Sequence, residues 1–509
     1  MLVDKQVLLI NPKIPSLRTW RLNLPTSLLY VGTYLSHKGY RVHIIDGCNI
    51  EDTGNILYRI KQNLDDSIAV GLTVMTEQVA NAIEVSRYIR DLNPSIPIIW
   101  GGVHPTLYTE QTIRADYVDF AVVGEGEITA YELLQAIKHG QNFNKIKGIA
   151  FQERETREIV ITGSREFMDI NELPSLNWGL LEGIKPGISI KKASELTGRG
   201  LFIQTSRGCP HQCTFCIDPI LQIRYRHREA ELVLKDIENL IELGTDQIYF
   251  IDDNFFTNKT RLLEILNGVE ERGLNLKWFG NVRADYFNPN YLTLEVLSKI
   301  KQCGCERVSI GAESGSQRIL DKLKKKITPK QILHVAELLD QVGIKCDFSF
   351  MMGLPGEEVD DIKNTLQLIE EIRKVDSSSY FGIIGPQIYR PYPGSELYFE
   401  CLKSGIKEPK TLEEWINNPY LKGEYDLKKT DQDMFPWVKY PLEELSKLAF
   451  YAWLSGIKLS FPFLNKLLRK IGSIRCRYFY FKYPVLMRIH SILTKNRKLV
   501  KFMARKRDM

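Results

Sequence analysis

The stretch Ser206-Arg-Gly-Cys-Pro-His-Gln-Cys-Thr-Phe-Cys216 places three cysteines, Cys209, Cys213 and Cys216, on one short loop. Three thiolates on a loop suit a four-iron cluster, because they leave the fourth iron open to a small molecule. A structural zinc site normally takes four protein ligands in paired spacings, and no fourth cysteine or histidine lies at a matching distance, although His211 is inside the loop. Nine scattered cysteines do not indicate a disulfide framework. The spacing therefore predicts an iron–sulfur cluster.

The sequence around this loop alternates between strands and helices. Strands are predicted at 201–205, 247–252, 277–282, 307–312, 346–352 and 381–389, and helices at 229–243, 259–272, 291–302, 329–342 and 358–374. Such alternation requires a parallel sheet with right-handed crossovers. We therefore expect an α/β fold with a partial (β/α)6 barrel over 199–400, whose chemistry lies at the carboxyl ends of its strands.

The cysteine loop resembles the signature of radical S-adenosylmethionine (radical SAM) enzymes, with the aromatic Phe215 directly before the third cysteine. The resemblance implies a [4Fe–4S] cluster bound by Cys209, Cys213 and Cys216, and SAM that chelates the open iron. It also implies that one electron from the cluster cleaves SAM to methionine and a 5′-deoxyadenosyl radical. An external electron donor such as flavodoxin or ferredoxin is then expected.

Polar residues follow the predicted barrel strands, where this family binds SAM. By resemblance, Asp252 and Asp253 are candidates for the SAM ammonium group, and Glu313 for the ribose hydroxyls. Arg283 is a candidate for the SAM carboxylate, which suits its forked donors. The complete set of predicted SAM contacts is Phe215, Asp252, Asp253, Arg283, Glu313, Gly353 and Gly356. The alternative for each acidic residue is a helix cap or a surface turn. Gly353 and Gly356 belong to a turn expected on the adenine side, because glycine lets the main chain approach a ligand.

The remaining cysteines are interpreted as structural. Cys303 and Cys305 form a Cys-Gly-Cys pair that suits either a second redox pair or two small buried residues, and we expect the latter. The other single cysteines are Cys48, Cys346, Cys401 and Cys476. Together they predict a reducing, cytoplasmic location.

Residues 1–145 predict a separate, doubly wound α/β domain. Its strands are predicted at 6–10, 41–46, 68–73, 96–100 and 117–123, with helices at 27–38 and 78–92. Such sheets bind ligands at the carboxyl ends of their strands. The first strand is followed by Asn-Pro-Lys-Ile-Pro rather than Gly-x-Gly-x-x-Gly, which argues against a nicotinamide cofactor.

The spacing of this domain is similar to the cobalamin-binding domain that precedes the barrel in one large radical SAM class. The resemblance implies cobalamin contacts from Thr73, Met75, Gly101, Gly102, Gly124, Glu125 and Gly126. The Asp-x-His-x-x-Gly motif that supplies a cobalt ligand in other cobalamin domains is absent, and His104 follows a different strand. We therefore expect cobalamin without a histidine ligand; the alternative is a degenerate domain that binds no corrin.

Residues 146–198 are predicted to form a hairpin and a linker, and 401–509 a mainly helical, basic region. Residues 441–509 carry a net charge of +13 within a chain of +6, so the other 440 residues carry about −7. Basic residues interleaved with aromatics indicate a cap over the barrel, contact with an anionic membrane surface, or nucleic acid. Stretches rich in Leu and Ile such as 464–474 favour lipid over nucleic acid. No apolar run is long enough to span a bilayer, and no signal peptide is recognised.

The leading function is cobalamin-dependent methyl transfer to an unactivated centre of a small-molecule or lipid-like substrate. A cobalamin-dependent oxidative cyclase is the alternative, and the sequence does not separate the two. A tRNA methylthiotransferase would carry three further cysteines in its first domain, where this chain has only Cys48. A non-catalytic corrin or iron–sulfur sensor would not need SAM-binding candidates at several strand ends. The predicted location is the cytoplasm, including the inner membrane face as a peripheral site.

Overall fold

A computed structural model describes residues 5–14, 24–48, 56–153, 155–181, 201–376, 381–418, 434–456, 462–479 and 486–487. The predicted linker from 182 to 198 and the tail beyond 487 lie outside the described residues.

The first domain is a sheet with helices on both faces. Its strands are β1 (Gln6–Asn11), β2 (Val42–Asp46), β3 (Ser67–Thr73), β4 (Ile98–Gly101), β5 (Phe120–Val122), β6 (Ile149–Gln152) and β7 (Ile159–Ile161). Its helices are α1 (Thr26–His37), α2 (Ile56–Leu64), α3 (Val79–Leu92), α4 (Val103–Leu107), α5 (Thr109–Ile113) and α6 (Glu127–His139). The strand order is β2-β1-β3-β4-β5-β6-β7. The first five strands are parallel, so their carboxyl ends share one edge.

The predicted hairpin is present, and it belongs to the first sheet. Strand β6 pairs antiparallel with β5, and β7 pairs antiparallel with β6. The linker then returns to the domain, because Leu181 forms a bridge with Ile44 of β2. One hydrophobic cluster includes residues of the first sheet, of the linker (Trp178 and Leu181) and of the barrel.

The second domain is a six-stranded parallel sheet. Its strands are β8 (Leu201–Ile203), β11 (Gln247–Phe250), β12 (Lys277–Val282), β13 (Cys305–Glu313), β14 (Lys345–Met352) and β15 (Phe381–Ile388), in the order β15-β14-β13-β12-β11-β8. A two-stranded ribbon, β9 (Ser206–Arg207) with β10 (Arg226–His227), lies between β8 and β11 in the chain. Alternate residues of β14 are buried, as expected for a barrel wall with helices on one face and a lumen on the other.

Helices connect the barrel strands in the predicted alternation. They are α7 (Ala230–Glu242), α8 (Lys259–Glu271), α9 (Leu294–Gln302), α10 (Gln317–Lys322), α11 (Pro329–Val342) and α12 (Val359–Val375). The predicted α/β class and barrel are confirmed.

The predicted helical character of the region after the barrel is also confirmed. It contains α13 (Glu396–Lys403), α14 (Leu412–Ile416), α15 (Leu442–Leu454) and α16 (Pro462–Arg477). Helix α15 packs beside β15 and α16, and α14 packs on α3 of the first domain. Among the described residues, no helix is long and apolar enough to cross a membrane.

Candidate cofactor site

The cysteine loop begins and ends at the two-stranded ribbon β9–β10. Ribbon β9–β10 pairs Arg207 with Arg226, and Gly208 follows with a φ of 74°. A side chain at Gly208 would place its Cβ 2.6 Å from the Ile223 carbonyl oxygen, so only glycine fits this turn. The far side of the loop is fixed by the Thr214 N–H, which donates to the Leu323 carbonyl.

The three predicted cluster ligands differ in exposure: Cys213 is buried, whereas Cys209 and Cys216 are partly exposed. Burial raises the pKa of the Cys216 thiol to about 12, so the free thiol stays protonated and bound iron must supply the charge that removes the proton. Among the described residues, no three His, Cys, Asp or Glu side chains converge on the position of one metal ion. In a four-iron cluster each cysteine binds a different iron.

Asp252, a predicted SAM contact, supports the strand that precedes the loop. Its side chain is fully buried and accepts hydrogen bonds from the Thr205 N–H (2.6 Å), the Thr205 hydroxyl (2.5 Å) and the Ser206 hydroxyl (2.8 Å). Arg261 lies 3.9 Å from the same carboxylate. Burial raises the pKa of Asp252, and Arg261 opposes that shift. This geometry gives Asp252 a structural role and leaves ammonium binding as a prediction for its neighbour Asp253.

Asp253 is exposed at the end of β11 and accepts a hydrogen bond from the Gly208 backbone, beside the cluster loop. Sequence reasoning missed its partner, Asp218. The Asp218 side chain is buried, and its Oδ2 has no hydrogen-bond partner among the described residues. Burial and the charge of Asp253 raise the pKa of Asp218 to about 7. Two carboxyl groups beside the cysteines suit a cation such as an ammonium group; the signal was an acid two residues after Cys216.

Glu313 lies in a strained and buried position. Its φ is 60°, and its carboxylate accepts a hydrogen bond of 2.9 Å from Lys325 Nζ, with both residues less than a tenth exposed. Lys324 and Lys326 also have positive φ values, of 51° and 55°. Non-glycine residues in this conformation cost about 1–3 kcal/mol each and concentrate at functional sites.

Lys325 is the second residue that the sequence did not reveal. Its Nζ lies 5.6 Å from the centre of the Phe215 ring, directly before the third cysteine. Three consecutive lysines suggest a solvated surface, and nothing in the sequence marks the middle one as buried. The structure therefore places a cation on one side of the cysteine loop and the acidic pair Asp218 and Asp253 on another.

Arg283, predicted to hold the SAM carboxylate, packs against the loop. It donates to the Lys325 carbonyl (2.5 Å) and to the Asp285 carboxylate (3.0 Å), and its third nitrogen lies 3.9 Å from Cys213 Sγ. These contacts place its charge beside a predicted cluster ligand. The carboxylate contact stays a prediction.

The Gly353–Glu357 turn is held by its own last residue. Gly353 and Gly356 have φ values of 69° and 74°, and Glu357 accepts a hydrogen bond of 2.5 Å from the Gly353 N–H. The Gly353 carbonyl accepts from Trp437 Nε1 (2.9 Å). Burial raises the pKa of Glu357 to about 7. The turn thus presents main chain at the end of β14, and its adenine contact stays a prediction.

At the carboxyl edge of the first sheet, Gly102 has a φ of 103°, and a Cβ there would lie 3.1 Å from the Val74 backbone. The fold therefore needs glycine at this position whether or not a ligand binds. A Cβ on Gly101 meets only Val122, at 3.6 Å, which is ordinary contact. Thr73 ends β3 next to these glycines, and Met75 is half-exposed.

Two residues near this edge have other partners. Glu125 is ion-paired with Arg226 and Arg207 of the ribbon. His104 is fully buried; its Nδ1 lies 3.3 Å from the Thr76 hydroxyl, and burial lowers its pKa to about 3. A neutral imidazole enclosed by Tyr108 and Trp415 agrees with the expectation that it does not bind cobalt.

Two family models match these domains. Residues 203–369 match the radical SAM superfamily, and residues 24–134 match the B12 binding domain. The chain therefore contains a radical SAM domain, preceded by a B12 binding domain. The predicted cofactors, a [4Fe–4S] cluster, SAM and cobalamin, are confirmed at this level. The residues present fit those groups. The three cysteines of the loop suit the cluster, and the buried Asp218 oxygen, which has no hydrogen-bond partner among the described residues, suits SAM. The glycines at the carboxyl edge of the first sheet suit cobalamin.

Known proteins are similar to this chain over most of its length. An uncharacterized methyltransferase of Pyrococcus horikoshii is 28% identical over 75% of this chain and 79% of its own length. An anaerobic magnesium-protoporphyrin IX monomethyl ester cyclase of Rubrivivax gelatinosus is 26% identical over 74% of this chain and 66% of its own length. The structure of OxsB, a radical enzyme with aqua-cobalamin and SAM bound, superposes with a TM-score of 0.64 at 21% identity, covering 96% of this chain and 76% of that chain.

Proposed function

We propose that this enzyme transfers a methyl group from cobalamin to an unactivated centre of a small-molecule or lipid-like substrate. The observation that carries the proposal is that the ribbon at the base of the cysteine loop contacts the turn after β5 of the B12 binding domain. When bound, the cluster with SAM supplies a substrate radical and cobalamin supplies the methyl group. An external one-electron donor such as flavodoxin or ferredoxin is required to reduce the cluster.

The chain's own residues bind and orient SAM. Cys209, Cys213 and Cys216 hold the cluster. The acidic pair Asp218 and Asp253 accepts the ammonium group of SAM. The cations Lys325 and Arg283 lie nearby and are candidates for its carboxylate. Glu313, which one hydrogen bond to Lys325 does not saturate, accepts from the ribose hydroxyls. The main chain of the Gly353–Gly356 turn contacts the adenine.

Cobalamin lies at the carboxyl edge of the first sheet, contacted by Thr73, Met75, Gly101 and Gly102, with Gly124 and Gly126 on the neighbouring turn. Gly101→Val tests this, because the fold has room for its Cβ. Gly163→Val is the control, since Gly163 is exposed and has no atom within 4 Å of its Cβ position. After reconstitution with hydroxocobalamin, Gly101→Val should lose the corrin absorbance while the control and the iron–sulfur spectrum stay unchanged. Corrin retention by Gly101→Val would contradict the placement.

Methyl transfer is tested with SAM carrying an isotopically labelled methyl group. The reconstituted enzyme, an electron donor and a cell extract are incubated without oxygen, and labelled products are traced by mass spectrometry. A methyltransferase yields a labelled product together with S-adenosylhomocysteine and 5′-deoxyadenosine. Formation of 5′-deoxyadenosine without label transfer would contradict the proposal and favour the oxidative cyclase, which the similarity to the Rubrivivax enzyme keeps as the second candidate.

We also propose that the enzyme works in the cytoplasm and reaches the inner membrane face through α16. None of the nine cysteines forms a disulfide, which supports a reducing compartment. Phe463, Leu467 and Ile474 are exposed at positions that share one face of α16, and Tyr478 follows on the same face. The opposite face packs on α15 through the buried Gly472 and Cys476.

Charge complementarity favours an anionic lipid surface. Helix α16 contains five basic residues and no acidic residue, the pattern of an interfacial helix. The full chain should sediment with vesicles containing phosphatidylglycerol more than with phosphatidylcholine vesicles, and Phe463→Ser with Leu467→Ser should abolish the difference. Tyr58→Ser, an exposed residue of the first domain, is the control. Equal binding by the double variant and the wild type would contradict the membrane contact. Nucleic acid is not expected as a partner.

A further inference from the structure

Four charged side chains connect the two cofactor domains. Glu125 and Glu127 come from the turn after β5, and Arg207 and Arg226 from the ribbon β9–β10. Arg226 binds Glu125 with two nitrogens, at 2.5 and 3.1 Å, and Arg207 binds Glu127 at 2.5 Å and Glu125 at 3.2 Å. We call these four residues the interdomain ion network.

The network is shielded from water and balanced in charge. The Glu127 side chain is 4% exposed and that of Arg207 is 12% exposed. Burial disfavours ionisation of Glu125, yet Arg226 and Arg207 hold its pKa below the usual range. Two cations therefore face two anions, and forked arginine–carboxylate bonds are directional as well as strong. Such a network fixes the relative orientation of the two domains and not only their proximity.

The network holds both ends of the cysteine loop. Arg207 and Arg226 are directly paired across the ribbon, and residues 208–225 between them contain all three cluster cysteines. A single turn of the first domain therefore controls where the loop begins and where it ends. The same turn starts α6, because Gly126 is the residue before Glu127 and caps that helix.

A second contact restrains the same junction. The Tyr30 hydroxyl of α1 donates to the Gln204 carbonyl (3.1 Å) and accepts from the Gln204 N–H (3.2 Å), at the end of β8. The guanidinium of Arg207 lies 5.4 Å from the centre of the Tyr30 ring. The entry to the cysteine loop is thus held by a helix and a turn of the first domain together.

We propose that Glu127 and Arg207 are positioning residues that set the separation between the corrin and the iron–sulfur cluster. The proposal rests on the proposed function, in which the two domains deliver two reacting groups to one substrate. Small misplacements of reacting groups reduce rates strongly; about 1 Å can cost on the order of a hundredfold. Neither residue touches the reacting atoms, so their effect on the rate is transmitted through the two ends of the cysteine loop.

The test is a spectroscopic distance measurement on the holoenzyme. In the wild type, the Co(II) paramagnetic signal should relax faster when the cluster is reduced than when it is oxidised. Glu127→Gln and the milder Arg207→Lys, which keeps the charge but loses the fork, should lose most of that acceleration. Glu231→Gln is the control, because Glu231 pairs with Arg272 on the surface of the barrel. Iron and cobalt contents show that each variant is loaded.

A second readout needs no cofactor. Fluorophores introduced by unnatural amino acids at the exposed positions Tyr58 and Leu294 report the distance between the domains by energy transfer. The variants should broaden this distance distribution, whereas Glu231→Gln should not.

Unchanged relaxation and unchanged energy transfer in both loaded variants would overturn the proposal. Loss of corrin from both variants would also overturn it, since it would assign the residues to binding. A wild type that retains no corrin would instead refute the proposed function, and the energy-transfer result would still decide the role of the network.

Discussion

At the scale of single residues, the barrel concentrates strain and buried charge at one place. Glu313, Lys324 and Lys326 all have positive φ values, and the ion pair between Glu313 and Lys325 is buried. A buried pair is weak evidence for stability, because desolvation offsets much of its attraction. Its position beside Phe215 and the cysteine loop agrees with the proposed role of Glu313 in binding SAM.

Glu313→Gln should weaken SAM binding while the cluster stays intact. The amide keeps the shape of the side chain but loses the negative charge that attracts ribose hydroxyl protons. We expect SAM to bind at least about tenfold more weakly, a loss of roughly 1.4 kcal/mol or more. Equilibrium binding of SAM to anaerobic protein measures this. The control is Glu306→Gln on the same strand, whose carboxylate pairs with Lys301 and Lys345. An affinity equal to that of the wild type would remove Glu313 from the site.

At the scale of elements, the turn from Gly353 to Glu357 depends on one carboxyl group. Glu357 accepts from two backbone N–H groups of the turn, while its Oε1 is buried without a hydrogen-bond partner among the described residues. The ionised form is therefore poorly solvated. The turn proposed to contact the adenine is thus held in place by a carboxyl group whose protonated form is favoured.

This preference predicts a pH dependence of stability. Because burial raises the pKa of Glu357 from 4.5 to about 7, the folded state binds the proton more tightly than the unfolded state. The resulting stabilisation is complete below about pH 4.5 and is lost as the pH rises to about 7. Glu357→Gln should thus be more stable than the wild type at pH 8, by on the order of 2–3 kcal/mol, and the gain should shrink toward pH 5. Urea unfolding at both pH values measures it, with the exposed Glu337→Gln as control. A gain that is the same at both pH values would contradict the assignment.

Much of this architecture was predictable from sequence, and the failures have physical causes. Helix α11 and strand β12 begin and end where the pattern predicts: Thr328 caps the helix, and alternate residues of the strand are buried. Helix α9 begins at Leu294 rather than 291, since Thr293 caps it by accepting from the Val296 N–H. The pattern did not separate Asp252 from Asp253, because only the packed loop decides which neighbour is buried.

The site was predictable to the extent that its chemistry is local in the chain. The three cysteines lie within one loop, so their spacing in the sequence is enough to recognise them. Lys325 was not predictable, because its burial depends on Phe215 in a distant part of the chain. The interdomain ion network was likewise hidden, because Glu127 and Arg207 are 80 residues apart. Long-range pairs of this kind leave no periodic signal.

At the scale of the whole molecule, the segment around α14 returns from the barrel to the first domain. Trp415 is buried against His104 and Tyr108, and its Nε1 donates to Gln111 at 2.7 Å. Glu413 accepts from Arg87 and from the Tyr117 hydroxyl. This segment therefore joins the two domains in addition to the interdomain ion network.

Trp415→Ala should destabilise the protein, because it removes a large buried ring that belongs to the core of the first domain. Such truncations typically cost about 3–5 kcal/mol. Trp415→Phe keeps a ring but loses the bond to Gln111 and should cost less, about 1–2 kcal/mol. Urea unfolding followed by circular dichroism measures both. If Trp415→Ala unfolds at the wild-type urea concentration, the segment does not hold the domains together.

Radical SAM chemistry in this protein is tested by the formation of 5′-deoxyadenosine, with anaerobically reconstituted enzyme, SAM and a reductant. We assign this activity to one cluster held by Cys209, Cys213 and Cys216. The wild type and Cys48→Ser, which changes a cysteine outside the loop, should bind iron and release 5′-deoxyadenosine. Cys216→Ala should lose most of its iron and all of this product. Formation of 5′-deoxyadenosine by Cys216→Ala at the wild-type rate would contradict the assignment of the cluster to these three cysteines.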